Sequence, residues 1–530
     1  MATPDGMIRI AFNGEIYNFR RLRAELEMKG YRFRSHSDTE VLLYLYKEYG
    51  RAMVQRLRGM FAFALWDEGK RSLFLARDPL GIKPLYYADD ATCLRAASQV
   101  KALRAGNNVD TRREPAGHVG FFLWGHVPEP WTLYKGIRAL PAGCSLWVQQ
   151  GNRVGEPEKY FSLTAELAEI EAGADPMTAG ESQDAFAAAL EESVSLHMLA
   201  DVPVGVFLSS GLDSTSIAAL AAEHTDEPLR TITLGFAEFQ GSPRDEVPLA
   251  EITAREFGFA HTARWVQREE FSAAREKLLA AMDQPTIDGV NTYFVSKAAS
   301  ESGLKVALSG LGGDELLAGY SSFPQIPKIV RYAKPFSSLG KGFRWASAPL
   351  LRYLTSPKYA GLFEYGGSYG GAYLLRRGLY MPWELPQVLD GELVREGWRE
   401  LATMSQLEAT TARITSSRLR VSALEMVWYM RNQLLRDADW ASMAHSLEVR
   451  VPLVDIVLLR EVAKLVAAGH SLGKLAMARC SVRPLPEAIL TRPKTGFSVP
   501  VREWLDGETN SEGRGLRGWA RSVYRNFAED

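Results

Sequence analysis

Short hydrophobic runs recur through the first third of the chain, separated by glycine, proline or paired polar residues. Ile8 to Phe12 predicts a strand that runs into a turn at Asn13 and Gly14. Residues 61–66 and 72–76 predict a hairpin, and helical spacing of apolar residues predicts a helix over residues 19–29. This pattern continues to about residue 151, so we expect residues 1–155 to form one domain of strands and turns with one or two helices.

The pattern changes in the middle of the chain. Alanine, glutamate, glycine and serine dominate residues 163–182, and we interpret residues 156–184 as a partly helical linker. In the domain predicted over residues 185–530, helices at 186–197, 214–224 and 271–282 alternate with strands at 203–208, 229–236 and 305–309. Such alternation predicts an α/β domain with a parallel sheet, and ligands of these sheets bind at the carboxyl ends of strands. After about residue 324 the chain is predicted to be mostly helical.

Composition excludes several classes of protein. Hydrophobic residues make up 46% of the chain and charged residues 24%, and the net charge is −1. We therefore expect no general affinity for nucleic acid or membrane. Three widely spaced cysteines, Cys93, Cys144 and Cys480, argue against a disulfide scaffold or a zinc site. Since no signal peptide or membrane span is visible, we expect a cytoplasmic protein.

The first chemical signal is an apolar strand, residues 204–208, that runs into a loop of small residues and then a helix. Small residues let backbone N–H groups approach a phosphate, and the helix N-terminus adds positive potential. Asp213 is a candidate Mg²⁺ ligand. The Gly-Lys-Ser/Thr of a Walker A loop is missing, so the loop suits release of pyrophosphate as a unit. By itself, the pattern also fits a strand-to-helix turn with a serine cap.

A second loop repeats the pattern. Residues 306–315 place an apolar strand before a glycine-rich segment that carries Asp314 and Glu315. Two such loops on neighbouring parallel strands would face one ligand. The alternative is a flexible loop with solvated acidic residues.

Long, ordered motifs give the chain a resemblance to glutamine-dependent asparagine synthetases. The segments that resemble the family are residues 13–18, 37–40, 59–63, 77–86, 208–214, 309–320, 435–455 and 492–504. Together they cover nearly the whole chain. The resemblance implies an Ntn-type amidotransferase sandwich, incomplete here, followed by an adenine-nucleotide α-hydrolase-like parallel-sheet domain with a helical C-terminal part.

The resemblance also implies an activity. ATP would adenylate the side-chain carboxylate of aspartate, and ammonia, taken from glutamine in a complete protein, would then give asparagine, AMP and pyrophosphate. Homodimers are common in the family. The implied cofactors are ATP and Mg²⁺.

Site residues follow from the same resemblance. The implied ATP-binding residues are Leu208, Ser209, Ser210, Gly211, Leu212, Asp213, Ser214, Leu234, Ser309 and Gly310. Asp213 and Asp314 would bind Mg²⁺, and Lys494 would neutralise the leaving pyrophosphate. The implied glutamine-binding residues are Asn13, Gly14, Glu15 and Asp38.

Three departures from the family are visible. The family nucleophile is an N-terminal cysteine, but Ala2 follows Met1 and no cysteine precedes Cys93. We therefore expect a chain truncated relative to the family, with a glutaminase half that is inactive as written. Ser210 replaces a glycine, which requires a negative φ at that residue. Leu311 replaces an acid that many members carry, which slightly favours a related amidotransferase or β-lactam-synthetase-like enzyme that acts on another carboxylate. A non-catalytic nucleotide-binding paralogue is a separate alternative, and Asp213, Asp314 and Lys494 count against it.

Other polar residues have structural explanations from the sequence. His445 is expected to pack rather than to contact substrate, and Glu448, Arg450 and Asp455 are expected to form structural ion pairs. The pairs Asp283-Gln284 and Asp288-Gly289 either shape the amino-acid pocket or form a turn.

Overall fold

The computed structural model describes residues 1–106, 108–175, 178–354, 357–493, 500, 504 and 515–528. The chain divides into two compact units. The first contains Met1–Glu114 and Glu129–Leu163, and the second contains Pro115–Pro128 and Thr164–Asp530. The domain boundaries inferred from sequence, at residues 155 and 185, stay predictions.

The first unit is built on two antiparallel sheets. The larger sheet has the strand order β1-β2-β3-β7-β8 and the smaller has the order β5-β4-β6. The strands are β1 Ile8–Ile16, β2 Gly59–Asp67, β3 Ser72–Arg77, β4 Tyr86–Asp89, β5 Leu94–Ala97, β6 Arg138–Ala139, β7 Cys144–Gln149 and β8 Glu158–Lys159. The helices are α1 Phe19–Met28, α2 Asp38–Tyr49 and α3 Val100–Ala105, with a 3₁₀ turn at Gly50–Arg56.

The predicted helix and hairpin of this unit are confirmed, but the predicted turn at Asn13 and Gly14 is wrong. Strand β1 runs straight through both residues, pairing in register with β2 from Ile8 opposite Asp67 to Ile16 opposite Gly59. Gly14 has φ +142°, and a Cβ there would collide with the carbonyl oxygen of Met60. Glycine at this position therefore permits a close approach of two strands rather than a chain reversal.

A five-stranded, wholly parallel sheet forms the centre of the second unit. Its strands, in the order β11-β10-β9-β12-β13, are β9 Val204–Phe207, β10 Arg230–Phe236, β11 Ala260–Val266, β12 Val306–Leu308 and β13 Glu448–Arg450. The predictions of β9, β10 and β12 are confirmed. Strand β13 lies in the region predicted to be helical, and with three residues it is too short to leave a periodic pattern.

Helices fill the rest of the second unit, as the alternation predicted. They are α4 Pro115–Trp124, α5 Leu163–Ala172, α6 Ala179–His197, α7 Leu212–Ala222, α8 Val247–Phe257, α9 Arg268–Ala281, α10 Val290–Glu301, α11 Gly313–Leu316, α12 Ser322–Ala333, α13 Gly340–Leu354, α14 Leu362–Tyr365, α15 Tyr369–Arg377, α16 Gly391–Leu401, α17 Thr403–Thr411, α18 Ser417–Leu424, α19 Arg436–Met443, α20 Ile456–Ala467, α21 Lys474–Met477, α22 Glu487–Leu490 and α23 Leu516–Ala528. Six-residue or shorter 3₁₀ turns occur at Ala237–Phe239, Lys334–Leu339, Pro357–Gly361, Pro382–Gln387 and Pro452–Val454. A π-helix, Glu425–Leu435, joins α18 to α19. Throughout the described residues, no helix is both long and apolar enough to cross a membrane.

Residues 115–128 belong to the second unit although the sequence on either side of them belongs to the first. Every residue of α4 is buried. The helix packs against α16, where Gly397 leaves room for Pro115 and Val119. Beyond α4, the Nδ1 atom of His126 lies 3.1 Å from the side-chain oxygen of Gln433 in the π-helix. This excursion of the chain is thus part of the core around the π-helix.

Candidate functional site

The strand order of the parallel sheet fixes where a ligand can bind. Strand β9 lies at the centre, with β10 on one side and β12 on the other. The chain after β9 continues to β10 and β11 on one side, then crosses to β12 and β13 on the other. Helices that follow β9 and β12 thus leave from opposite faces, and a crevice opens at the carboxyl ends of these two strands. Both loops singled out in the sequence lie at this switch point.

A cavity of about 430 Å³ occupies the crevice. Its walls include every predicted ATP-binding residue and the predicted metal ligand Asp314: Leu208, Ser209, Ser210, Gly211, Leu212, Asp213, Ser214, Leu234, Ser309, Gly310 and Asp314. Asp288 and Gly289 also line it, and whether this pair shapes an amino-acid pocket stays a prediction. Lys494 lies outside the described residues, and its predicted role stays a prediction.

Hydrogen bonds made by its own serine residues fix the conformation of the loop after β9. The hydroxyl of Ser214 donates to the carbonyl oxygen of Ser209 at 2.8 Å, and the Ser209 and Ser214 hydroxyls lie 2.8 Å apart. The backbone N–H of Gly211 donates to the Ser209 hydroxyl at 3.3 Å. Helix α7 starts directly after this loop, with Asp213 in its first turn. The loop therefore presents backbone donors and a helix N-terminus to the cavity, which suits an anionic ligand.

The loop after β12 lies directly against the first loop. A Cβ on Gly310 would lie 3.0 Å from the Cβ of Asp213, and one on Gly313 would lie 2.7 Å from its Cγ. Side chains at these two positions would push Asp213 away from its present place. The glycine-rich sequence therefore keeps the two loops in contact.

Lys474 is a site residue that the sequence reasoning missed. Its Nζ lies 2.5 Å from Oδ2 of Asp213, and it also forms an ion pair with Oδ1 of Asp314. Burial disfavours the ammonium form, but the two carboxylates outweigh burial and raise the pKa of Lys474. The lysine is the first residue of α21, 261 positions after Asp213, and no local motif marks it. An ammonium group thus joins the acids of both loops inside the cavity.

Ser210 meets the requirement that its replacement of glycine imposed. Among the described residues, the non-glycine residues with positive φ are Arg71, Ala91, Asn108, Ala318, Ala402 and Ser446, so Ser210 is not one of them. Its buried hydroxyl donates to the backbone carbonyl oxygen of Glu246. Ser210 therefore fits the loop without a left-handed backbone conformation, and its hydroxyl binds to the segment that precedes α8.

Aromatic and acidic side chains form the part of the cavity wall away from the loops. Tyr320 and Tyr429 line it, and the guanidinium of Arg377 lies 3.8 Å from the ring centre of Tyr429 and 4.5 Å from that of Tyr320. Arg377 is itself fixed by an ion pair with Glu425, at 2.9 Å. Tyr429 and Glu425 belong to the eleven-residue π-helix, a rare element that is frequently found at functional sites.

Asp437 is a buried acid in the same wall, 2% exposed. It accepts hydrogen bonds from the hydroxyl of Thr286 at 2.8 Å and the indole N–H of Trp440 at 2.9 Å. Burial, and then repulsion from Asp288, raise the pKa of Asp437 to about 7. Burial likewise raises the pKa of Asp288. Leu311, also in the wall, adds an apolar surface.

The predicted glutamine-binding residues come together in the first unit. Asn13, Gly14 and Glu15 lie near the end of β1, and a carboxylate oxygen of Asp38 accepts a hydrogen bond from the backbone N–H of Ile16 at 3.0 Å. The amide of Asn13 donates to the hydroxyl of Ser98 at 3.2 Å. Burial raises the pKa of Asp38. These contacts place the four residues around one strand end, and their part in glutamine binding stays a prediction.

The remaining polar candidates have structural roles. His445 packs edge-on against Tyr293, with ring centres 4.3 Å apart, and does not line the cavity. Arg450 forms an ion pair with Glu448 at 2.7 Å and donates to the carbonyl oxygen of His197 at 3.0 Å. Asp455 caps α20 by accepting from the N–H groups of Val457 and Leu458.

Fold and site together define an α/β protein with two loops at the switch point of a parallel sheet, joined to a β-rich unit. The family model described as asparagine synthase matches residues 185–516, and the one described as a glutamine amidotransferase domain matches residues 1–161. The chain therefore belongs to the asparagine synthase family.

Individual relatives agree with this assignment. The chain is 35% identical over 523 residues to a putative glutamine-hydrolysing asparagine synthetase of Mycobacterium tuberculosis, covering 95% of this chain and 76% of that protein. It is 32% identical over 538 residues to glutamine-hydrolysing asparagine synthetase 1 of Bacillus subtilis, covering 98% and 79%. A solved glutamine phosphoribosylpyrophosphate amidotransferase from Bacillus subtilis is 15% identical with a TM-score of 0.23, over 59% of this chain and 63% of that one. That similarity is too low to bear on the fold.

Proposed function

We propose that the second unit uses ATP to adenylate the side-chain carboxylate of aspartate and then transfers the acyl group to ammonia, which gives asparagine, AMP and pyrophosphate. The observation that carries this proposal is the convergence of Asp213, Asp314 and Lys474 in one cavity with the loops after β9 and β12. Names of the relatives described above agree with amide formation by glutamine-hydrolysing enzymes.

The loop after β9 is proposed to bind the β- and γ-phosphates. Its backbone N–H groups and serine hydroxyls can donate hydrogen bonds to phosphate oxygens, and the N-terminus of α7 adds positive potential. Phosphate binding of this kind does not require the lysine of a Walker A loop. Asp213 and Asp314 would hold Mg²⁺, which binds proteins through one or two carboxylates plus phosphate oxygens and would neutralise phosphate charge. Both carboxylates already converge on one cation, the ammonium of Lys474, which supports this assignment.

The proposed adenylation is a displacement at the α-phosphorus in which negative charge builds up on pyrophosphate. The substrate carboxylate attacks the α-phosphorus, the bond to the oxygen that bridges the α- and β-phosphorus atoms breaks, and pyrophosphate leaves with additional negative charge. Lys474 lies beside both loops and would stabilise that charge as it develops. Ammonia next attacks the acyl carbon, AMP leaves with the bonding pair, and the nitrogen loses a proton. Water must be kept from the acyl-adenylate, because hydrolysis would waste the activated intermediate.

The 530-residue chain is expected to use ammonium and not glutamine. Cys93 is exposed, Cys144 is buried and Cys480 is half-buried, and none of them has a free α-amine beside it, so none matches the nucleophile that the family employs. The measurement is pyrophosphate release with ATP, Mg²⁺ and aspartate, with either ammonium or glutamine as nitrogen source. Asp213→Ala is the control and should abolish release. Equal turnover with glutamine would contradict the expected inactivity of the glutaminase half, and unchanged release by Asp213→Ala would refute the role of the loop.

A second candidate is amide formation on a different carboxylate. Leu311 cannot accept a proton or bind a metal, and the basic residues among those described around the cavity are Lys474 and Arg492. Since Lys474 already faces two acids, Arg492 is the cation among these described residues that is left to meet the second carboxylate of a substrate. AMP formation that is driven by other carboxylic acids but not by aspartate would favour this candidate.

A further inference from the structure

Glu246 is a buried acid of the cavity that the proposed chemistry does not use. It follows β10 and directly precedes α8, and its carbonyl oxygen accepts the hydroxyl of Ser210 from the loop after β9. The residue is 8% exposed and lines the cavity. Its carboxylate oxygen Oε2 is buried and has no hydrogen-bond partner in the described part of the chain.

Arg492 lines the same cavity, and one of its nitrogen atoms has no hydrogen-bond acceptor among the described residues. One terminal nitrogen, Nη2, donates to the carbonyl oxygens of Pro243 at 3.1 Å and Asp245 at 3.4 Å, which fixes the guanidinium in place. The other, Nη1, is buried and has no partner among the described residues. The positive charge of the guanidinium acts to lower the pKa of Glu246, yet the two side chains form no ion pair.

A structural role does not account for this arrangement. Glu246 stands at the N-cap position of α8, but its side chain makes no capping hydrogen bond. A buried acceptor or donor without a partner costs free energy in every folded molecule. Two such atoms of opposite character on one cavity wall therefore indicate a ligand that both accepts and donates hydrogen bonds.

We infer that Glu246 and Arg492 bind the ribose of the nucleotide, with the Glu246 carboxylate accepting a hydrogen bond from a ribose hydroxyl and Arg492 donating to a ribose or neighbouring phosphate oxygen. This inference rests on the proposed binding of ATP to the loop after β9. A hydroxyl group is both donor and acceptor, so a ribose diol satisfies both vacant atoms.

Position along the sheet supports the assignment. Glu246 follows β10, the strand beside the one that carries the phosphate-binding loop. In dinucleotide-binding sheets, an acidic residue that follows the phosphate-binding loop along the chain accepts a hydrogen bond from the ribose 2′-hydroxyl.

A metal ion is a poorer fit than a hydroxyl. The guanidinium of Arg492 would repel a divalent cation at this place. Burial raises the pKa of Glu246 to about 7, so the carboxyl group carries a proton in part of the molecules near neutral pH. Partial protonation weakens a metal ligand more than it weakens a hydrogen-bonding partner of a neutral hydroxyl.

The test is calorimetric binding of ATP, 2′-deoxy-ATP and 3′-deoxy-ATP to the full chain in the presence of Mg²⁺. The parent chain is expected to bind ATP roughly 10- to 100-fold more tightly than the analogue that lacks the contacted hydroxyl, because a hydrogen bond to a charged group is lost. Glu246→Ala, and the isosteric Glu246→Gln to a smaller degree, should reduce that preference and leave binding of the same deoxy analogue nearly unchanged. Glu256→Ala, on the exposed side of α8, is the matched control and should keep the preference.

Each outcome separates the inference from the proposed function. Binding of ATP without preference over either deoxy analogue would overturn ribose recognition and leave the proposed function standing. Equal weakening of all three nucleotides by Glu246→Gln, with a higher Mg²⁺ requirement, would also overturn it and favour a metal ligand. Failure of the parent chain to bind ATP at all would instead overturn the proposed function, and the ribose inference with it.

Discussion

Lys474→Met is expected to lower the rate of pyrophosphate release by about two to three orders of magnitude, the usual effect of removing one group that stabilises transition-state charge. The ammonium of Lys474 is the described cation that contacts acids of both loops, and methionine keeps its length without its charge. The loss should fall mainly on kcat, since charge on pyrophosphate grows as the bond to the α-phosphorus breaks.

The matched control is Lys464→Met, which removes an exposed lysine from α20 and should leave the rate unchanged. Lys474→Arg keeps the charge but replaces a compact ammonium with a planar fork, and it should recover only part of the rate. Because Lys474→Met leaves Asp213 and Asp314 without their shared partner, its thermal unfolding must be measured alongside. A well-folded Lys474→Met variant with less than a threefold loss in kcat would refute the assignment.

Glu315→Gln is expected to stabilise the chain relative to the parent as pH rises, by roughly 4 kcal/mol between pH 4.5 and pH 8. Glu315 is 1% exposed, and burial, followed by repulsion from Asp314 and Glu425, raises its pKa to about 8. The folded chain therefore holds a proton that the unfolded chain releases near pH 4.5. Stability from this group is present in full below that value and is lost as pH rises through 8.

Glutamine imitates the protonated form, so the variant should escape this loss. The hydroxyl of Tyr320 donates to Glu315 at 2.9 Å, and a glutamine carbonyl can accept the same bond. The measurement is the free energy of unfolding of parent and variant at pH 5, 7 and 9. Glu169→Gln, in an exposed position of α5, serves as the control for a general pH effect. A difference between parent and Glu315→Gln that does not change with pH would show that Glu315 ionises normally.

Local sequence was sufficient for the parts of the site that follow one another along the chain. The loops after β9 and β12 each combine an apolar strand, small residues and an acid within about a dozen positions, and neighbouring parallel strands bring such loops together by geometry alone. The same reasoning explains why β9, β10 and β12 were predictable, since buried parallel strands are continuous apolar runs.

Contacts between residues that are far apart in the sequence could not be predicted in this way. Lys474 lies on a four-residue helix with no motif around it, and only the folded chain shows that its ammonium reaches Asp213. Glu246 gave no signal either, because an unpartnered buried atom is a property of packing and not of spacing. The mistaken turn at Asn13 and Gly14 has a similar origin: the dipeptide favours a reversal locally, but pairing of β1 with β2 over nine residues outweighs that preference.

The excursion of residues 115–128 constrains how this protein can be taken apart. A fragment that starts at residue 164 would lack α4, so Tyr524 would lose the aromatic rings of Phe121 and Phe122, and Gly397 of α16 would lose Pro115 and Val119. It would also lack the backbone carbonyl of Val127, to which Arg436 donates at 2.7 Å, next to Asp437 in the cavity wall. Expression of the ATP-dependent half alone should therefore yield an unstable product unless this short peptide is supplied in trans or grafted back, so the two halves cannot be exchanged between relatives by a single cut.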